Sequence, residues 1–338
     1  MRSRSRRENL KTVAKTLVGF LFLMLAGAGS SSAMAPGQAS RDEEDRAMGR
    51  RGLDLMMDGD LDRAIAVFRE IEKQDPQSPV GYLLEADAVW WRIYYSTANL
   101  IDPDVFSSTD QDSSPHDAHF QDLLNTTISK SESNIQSNQD VARNYLYEGM
   151  AYALRARLEG LRDRALPTAR AGKKMRALLL EAGELDPRLT DPYLGLGIYN
   201  YFVDTLSGIV RILRWFIGLP GGSRIEGLKQ MHLAAEKGDL TPAEAKFFLA
   251  KDYSRQNERQ FERSMAIFRE LEREYPHNPL WPMLIASLQC RTGHSQECDA
   301  GYRDVFQRTE AEKSEVDKAL HAAARQALQR MHPGEAIE

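Results

Sequence analysis

Apolar positions recur every three to four residues over one segment of this chain after another, and proline, glycine or polar clusters separate the segments. The run Leu61-Asp62-Arg63-Ala64-Ile65-Ala66-Val67-Phe68-Arg69-Glu70-Ile71-Glu72 puts its small and apolar residues on one helical face and its charges on the other, and ends at Asp75-Pro76. Two hundred positions later, Phe261-Glu262-Arg263-Ser264-Met265-Ala266-Ile267-Phe268-Arg269-Glu270-Leu271-Glu272 repeats the pattern and ends at Tyr275-Pro276. Pro79 and Pro279 follow in register, so the chain contains an internal repeat. Ser78-Pro79, Asp191-Pro192, Thr241-Pro242 and Asn278-Pro279 each join an N-capping side chain to a proline suited to the first helical turn. Thr241-Pro242-Ala243-Glu244 is also a predicted capping box. No stretch alternates like a strand. The pattern predicts an all-α protein of long antiparallel helices over residues 43–332, with a short tail at 333–338.

Two regions break the rhythm. Residues 100–138 are rich in Ser, Asp, Asn and Gln and predict a partly mobile connection with a helical patch near Phe120 to Ile128. Residues 204–224 carry an apolar insertion, the run Leu206 to Leu219, followed by a Pro220-Gly221-Gly222 turn. Its Ile209, Val210, Ile212, Leu213, Trp215, Phe216 and Ile217 are too many to expose without an aggregation cost. Two readings stand. Either an inserted helix packs into the repeat and completes its core, or Arg211, Arg214, Trp215 and Phe216, with Arg224 beyond the turn, form a contact surface for a partner or a membrane face.

The N-terminus reads as a targeting segment. Basic residues Arg2, Arg4, Arg6, Arg7, Lys11 and Lys15 precede the apolar run Thr16 to Gly29, and small residues follow. Fourteen helical residues rise about 21 Å, short of the roughly 30 Å bilayer core. Residues 1–35 are therefore expected to be a signal peptide, cut after Ala33 or Ala35, with 36–42 a flexible leader. Arg6-Arg7 fits either a twin-arginine signal or an ordinary basic n-region. The expected location of the mature chain is the periplasm or cell envelope.

Charge changes the picture once the leader is set aside. The whole chain carries −5, and residues 1–35 hold six basic residues against Glu8, which leaves −10 for the remainder. A chain so acidic repels phosphate backbones, so nucleic acid is excluded as a general partner. Against that background Arg155 to Arg176 stands out, with eight basic residues against Glu159 and Asp163. It is either a solvated helix face or a patch for an acidic lipid, polymer or protein.

Little of the sequence offers chemistry. Cys290 and Cys298 flank Thr292-Gly293-His294, which reads as a turn, and are placed to staple a helical hairpin in an oxidising compartment. Two cysteines are too few for a structural zinc site. His116 and His119 beside Asp117 are the nearest approach to a metal cluster, with no third ligand placed by sequence. Trp90, Trp91, Tyr94 and Tyr95 read as core. Glu85 and Asp87, or Asp252 and Glu258, do not make a catalytic pair by spacing alone. No catalytic residue, cofactor or metal site is expected.

Gly52, Ala64, Phe68 and Pro76 stand at the G, A-x3-F, P spacing of a tetratricopeptide repeat, and the chain resembles a protein of that class. More narrowly, it resembles an exported bacterial branch with a G-x-Y-x-Y/F run, an apolar segment, L-P-G-G-D-R and a G-L-x-x-L helix. The matching residues are Gly197, Tyr199, Tyr201 and Phe202, then Leu219 to Arg224, then Gly227-Leu228, with Ser223 in place of the acid. The resemblance implies a tetratricopeptide-like α-solenoid and a scaffolding role with no reaction. The expected function is thus an exported, non-catalytic helical-repeat scaffold for protein–protein interaction in the cell envelope. The alternative is a membrane-peripheral or apolar-ligand-binding module using 206–219.

Overall fold

A computed structural model describes residues 36–102, 113–205 and 218–334, with side chains from residue 43 onward. Among the described residues there are thirteen helices and no strand. They pair in chain order as α1 (Pro36–Met57) with α2 (Leu61–Gln74), α3 (Val80–Thr97) with α4 (Asp117–Gln136), and α5 (Val141–Leu161) with α6 (Ala165–Leu185). Next come α7 (Pro192–Thr205) with α8 (Arg224–Lys237), α9 (Pro242–Ser254) with α10 (Phe261–Glu274), and α11 (Leu280–Arg291) with α12 (Ser295–Arg308). Helix α13 (Glu315–Met331) ends the series, opened by a capping box between Ser314 and Asp317.

The two copies of the internal repeat occupy matching helices. Helix α2 buries Leu61, Ala64, Ile65, Phe68 and Ile71, and α10 buries Ser264, Met265, Phe268 and Leu271. Small residues are needed where paired helices cross. A Cβ on Gly52 would fall 2.3 Å from the Phe68 ring, and Cβ atoms on Gly197 and Gly227 would each meet the other's carbonyl within 3 Å. At the second copy Ser264 stands where the first has Ala64, and its hydroxyl donates to the Ala250 carbonyl at 2.7 Å.

Helix α3 is buried on nearly all sides, with Glu85 and Asp87 among its buried residues. Trp90 stacks on Tyr94, while Trp91 meets Phe247 of α9 at 5.0 Å and Phe247 meets Trp281 of α11 at 6.2 Å. The C-terminal helix α13 also packs on α3. Helix α3 thus packs among α2, α4, α5 and α13, with ring contacts to α9.

The series closes because the first pair docks on later ones. Arg46 and Arg50 of α1 reach Asp239 ahead of α9, with the Arg46 contact at 2.9 Å. Tyr275 donates to Asp54 at 3.2 Å, and the His277 main-chain amide donates to Asp58 at 2.9 Å.

Three expectations change. Residues 36–42, read as a leader, are already helical within α1. Of the stretch 100–138, Asp117–Gln136 forms helix α4, and residues 103–112 lie outside the described residues. The Thr241–Glu244 capping box does not form, because both side chains have stronger partners elsewhere. The Thr241 hydroxyl donates to Asp191 at 2.8 Å, and Glu244 receives Arg157.

Candidate functional site

Among the described residues, a buried polar cluster and an open cleft stand out. The cluster lies between α3, α5 and α9. Arg157 donates through both terminal nitrogens to Glu244 at 2.7 and 2.9 Å, and its Nη1 lies 3.5 Å from Asp87. Its guanidinium also covers the Phe248 ring at 4.6 Å. Burial first, and then the neighbouring Glu244, pushes the Asp87 carboxyl well above the usual aspartate range. Beside the cluster is a space of about 20 Å³, room for roughly one water. Asp191 closes the same region, accepting from the main-chain amides of Asp239, Leu240 and Thr241 at 2.9, 2.9 and 3.1 Å. These charges are spent on one another and on the backbone. The arrangement ties α3, α5 and α9 together.

The cleft is open, with a volume of about 580 Å³, lined by Asp204 and Thr205 at the end of α7, Arg224 at the start of α8, and Arg255, Gln256 and Asn257 after α9. It sits where the insertion leaves and rejoins the repeat. Gly222 is required there, since a Cβ would fall 2.5 Å from the Asn200 carbonyl. Ser223 caps α8 by accepting from the Glu226 amide at 3.4 Å. The first amide of α8, that of Arg224, is taken by Asp204 at 2.8 Å. The Arg224 guanidinium uses only Nη1, on Glu258 at 2.6 and 2.7 Å.

Arg255 lies over Phe202 at 5.0 Å and Tyr201 at 5.9 Å, and its buried Nε has no hydrogen-bond partner. Asn257 donates to the Tyr201 hydroxyl at 3.1 Å. Behind it, Asp252 is fully enclosed and neither carboxylate oxygen has a hydrogen-bond partner; burial drives its acid well above the usual range, with Arg255 and Lys251 opposing. The cleft therefore faces solvent with two guanidinium groups that retain unused N–H donors, beside an exposed amide at Gln256.

Of the residues expected to make a contact surface, Arg224 is in this cleft, whereas Arg211, Arg214, Trp215 and Phe216 lie outside the described residues, as does most of the run 206–219. Arg255, Gln256 and Asn257 escaped the sequence reading because they occupy an ordinary polar loop between two helices. The basic stretch 155–176 divides. Arg157 turns inward to Glu244 and Arg162 to Asp117 at 2.7 Å, leaving Arg164, Arg170, Lys173 and Lys174 outward. His119 meets Glu85 at 2.8 Å and His116 faces Glu315 at 3.8 Å, so the two histidines do not converge. Among the described residues no group of three His, Cys, Asp or Glu side chains is placed to hold a metal ion. Cys290 and Cys298 are bonded to each other across the α11–α12 turn, with Cα atoms 5.1 Å apart.

No protein-family model matches the chain, and no curated protein matches its sequence. Among solved structures the chain is similar to a thermophilic TPR protein from Thermus thermophilus. That likeness has 15% sequence identity and a TM-score of 0.41, covering 73% of this chain and 99% of the other. At that level it carries no argument about activity or partner, and the all-helical fold stands on the helix pairs themselves.

Proposed function

We propose that the chain is an exported, non-catalytic helical-repeat scaffold of the cell envelope, and that a protein partner docks on its outer surface at the cleft beside the insertion. The observation that carries this reading is Arg255, a guanidinium stacked on Phe202 with its buried Nε unused, on the wall of an open cleft. Arginine over an aromatic ring is a common anchor in protein interfaces, because its planar fork keeps several donors in fixed directions. The engaged acids Asp87, Asp191 and Glu244 support a role without catalysis. Export is supported by the basic and apolar N-terminal stretch and by the Cys290–Cys298 bond, a link that persists in oxidising compartments.

The test is a photo-cross-linking amino acid placed at Gln256 and, as a control, at the exposed Glu262 of α10. Irradiation of envelope fractions should give discrete adducts from position 256 that Arg255→Ala removes. Equal labelling from both positions, or none from position 256, rejects the cleft as a docking site.

A further inference from the structure

We infer that the partner docked at the cleft is recognised through an acidic side chain, whose carboxylate meets Arg255 and Arg224 beside the apolar Ile225. This rests on the docking proposed above and names the chemistry recognised there. Both arginines are fixed before a partner arrives. Arg255 lies over the Phe202 and Tyr201 rings at 5.0 and 5.9 Å, which sets its plane. Arg224 is held through Nη1 alone, on Glu258 at 2.6 and 2.7 Å, and its side chain stays 38% exposed. Asn257 joins the two, donating to the Tyr201 hydroxyl at 3.1 Å and to Glu258 at 3.3 Å. Guanidinium groups held in this way lose little side-chain freedom when an anion binds.

The acids nearby are already engaged. Glu258 is nearly enclosed and accepts from Arg224, Asn257 and Gln260. Asp252 is enclosed, and burial favours its neutral form. Asp204 accepts the Arg224 main-chain amide at 2.8 Å. The residues lining the cleft therefore set two guanidinium groups against one carboxylate, a local positive excess on a chain whose residues 36–338 carry −10. Three features select an acidic side chain among anions. A planar guanidinium pairs two N–H groups with the two oxygens of a carboxylate. Asp204 on the wall opposes the double charge of a phosphate more than the single charge of a carboxylate. A chain-terminal carboxylate is typically captured by main-chain amides, and here the Arg224 and Glu226 amides at the start of α8 are taken by Asp204 and Ser223. Ile225, next to Arg224, is 61% exposed and offers the apolar contact.

The experiment uses the photo-cross-linking amino acid at Gln256 with envelope fractions that are untreated, carboxyl-amidated with carbodiimide and glycinamide, lysine-acetylated, or phosphatase-treated, each freed of reagent before mixing. Amidation alone should lower the adduct yield about tenfold or more, the scale of a lost charge-assisted hydrogen bond. Arg255→Lys and Arg224→Lys keep the charge but not the planar fork. Each should lower the yield about tenfold with the melting temperature unchanged. The yield should also fall as salt is raised. The carboxylate inference is overturned, with the docking reading left standing, by a discrete adduct that survives amidation, that acetylation removes equally, or that phosphatase removes. Full yield from both lysine variants overturns it in the same way. No discrete adduct from position 256 in the untreated fraction rejects the docking reading, and this inference with it.

Discussion

Asn278 donates its side-chain amide to the main-chain carbonyl of Met57 at 2.8 Å, joining the approach to α11 to the end of α1 across 221 positions of sequence. The same amide reaches the Tyr95 hydroxyl at 3.1 Å, and its Oδ1 accepts from the Leu280 amide at 3.0 Å. One buried side chain thereby connects α1, α3 and α11. Asn278→Ala should cost about 1–3 kcal/mol, because it strands buried partners rather than removing a solvated contact. Urea unfolding gives the magnitude, and amide exchange gives the place: protection should drop in α1 first. Unchanged exchange across residues 50–58 would show that closure does not depend on this residue.

Phe68 and Phe268 fill the gaps between α1 and α2 and between α9 and α10, and each has no exposed surface. Either residue changed to Ala should cost about 3–5 kcal/mol. If one proves dispensable within about 0.5 kcal/mol in urea unfolding, the structural equivalence of the two copies fails.

The internal repeat was legible because it is local. Small, aromatic and proline positions act within about fifteen residues, and they place α2 and α10 without further information. Asn278 shows where such reading stops. Its spacing to Pro279 marks a helix start, and its Oδ1 does accept the Leu280 amide, but nothing in the sequence says that its amide serves Met57. Thr241 and Glu244 make the same point in reverse, since a valid local motif lost to Asp191 and Arg157, which are distant in sequence. At the cleft, Arg224 and the glycine turn were legible as a signature. Arg255 was not, because its significance lies in stacking on Phe202, a contact between two segments set by closure of the whole fold.

Arg157 holds two buried carboxyls together, so its loss should be far worse than the loss of either acid's charge. Arg157→Leu should cost about 3–5 kcal/mol at neutral pH, since it leaves Glu244 and Asp87 enclosed without a counter-charge. Asp87→Asn should cost much less, because burial already favours the neutral form of that acid. The Arg157→Leu penalty should also shrink on acidification, because burial already raises the Asp87 carboxyl and favours its neutral form. A penalty independent of pH would mean that lost packing on Phe248, rather than charge, dominates.

Glu72 offers the sharpest pH test. Burial first, and then the charge of Glu85, pushes its carboxyl up to about 7. Burial pulls Glu85 in the same direction, yet hydrogen bonds from Arg69 and His119 prevail and hold it below the usual range. Lys130 completes the charged surroundings of Glu72. Because Glu72 binds its proton more tightly when folded, its contribution is full below the unfolded carboxylate range and is lost as pH rises to about 7. Glu85 runs the other way and loses its contribution only on acidification. Asp87 and Asp252 are raised as well and add a slope of the same sign as Glu72, so the informative quantity is the difference between two proteins. Melting temperature should fall less steeply for Glu72→Gln than for the unaltered chain between about pH 5 and 7. Parallel curves would show that Glu72 is ionised throughout this window and that Arg69 and Lys130 outweigh its burial.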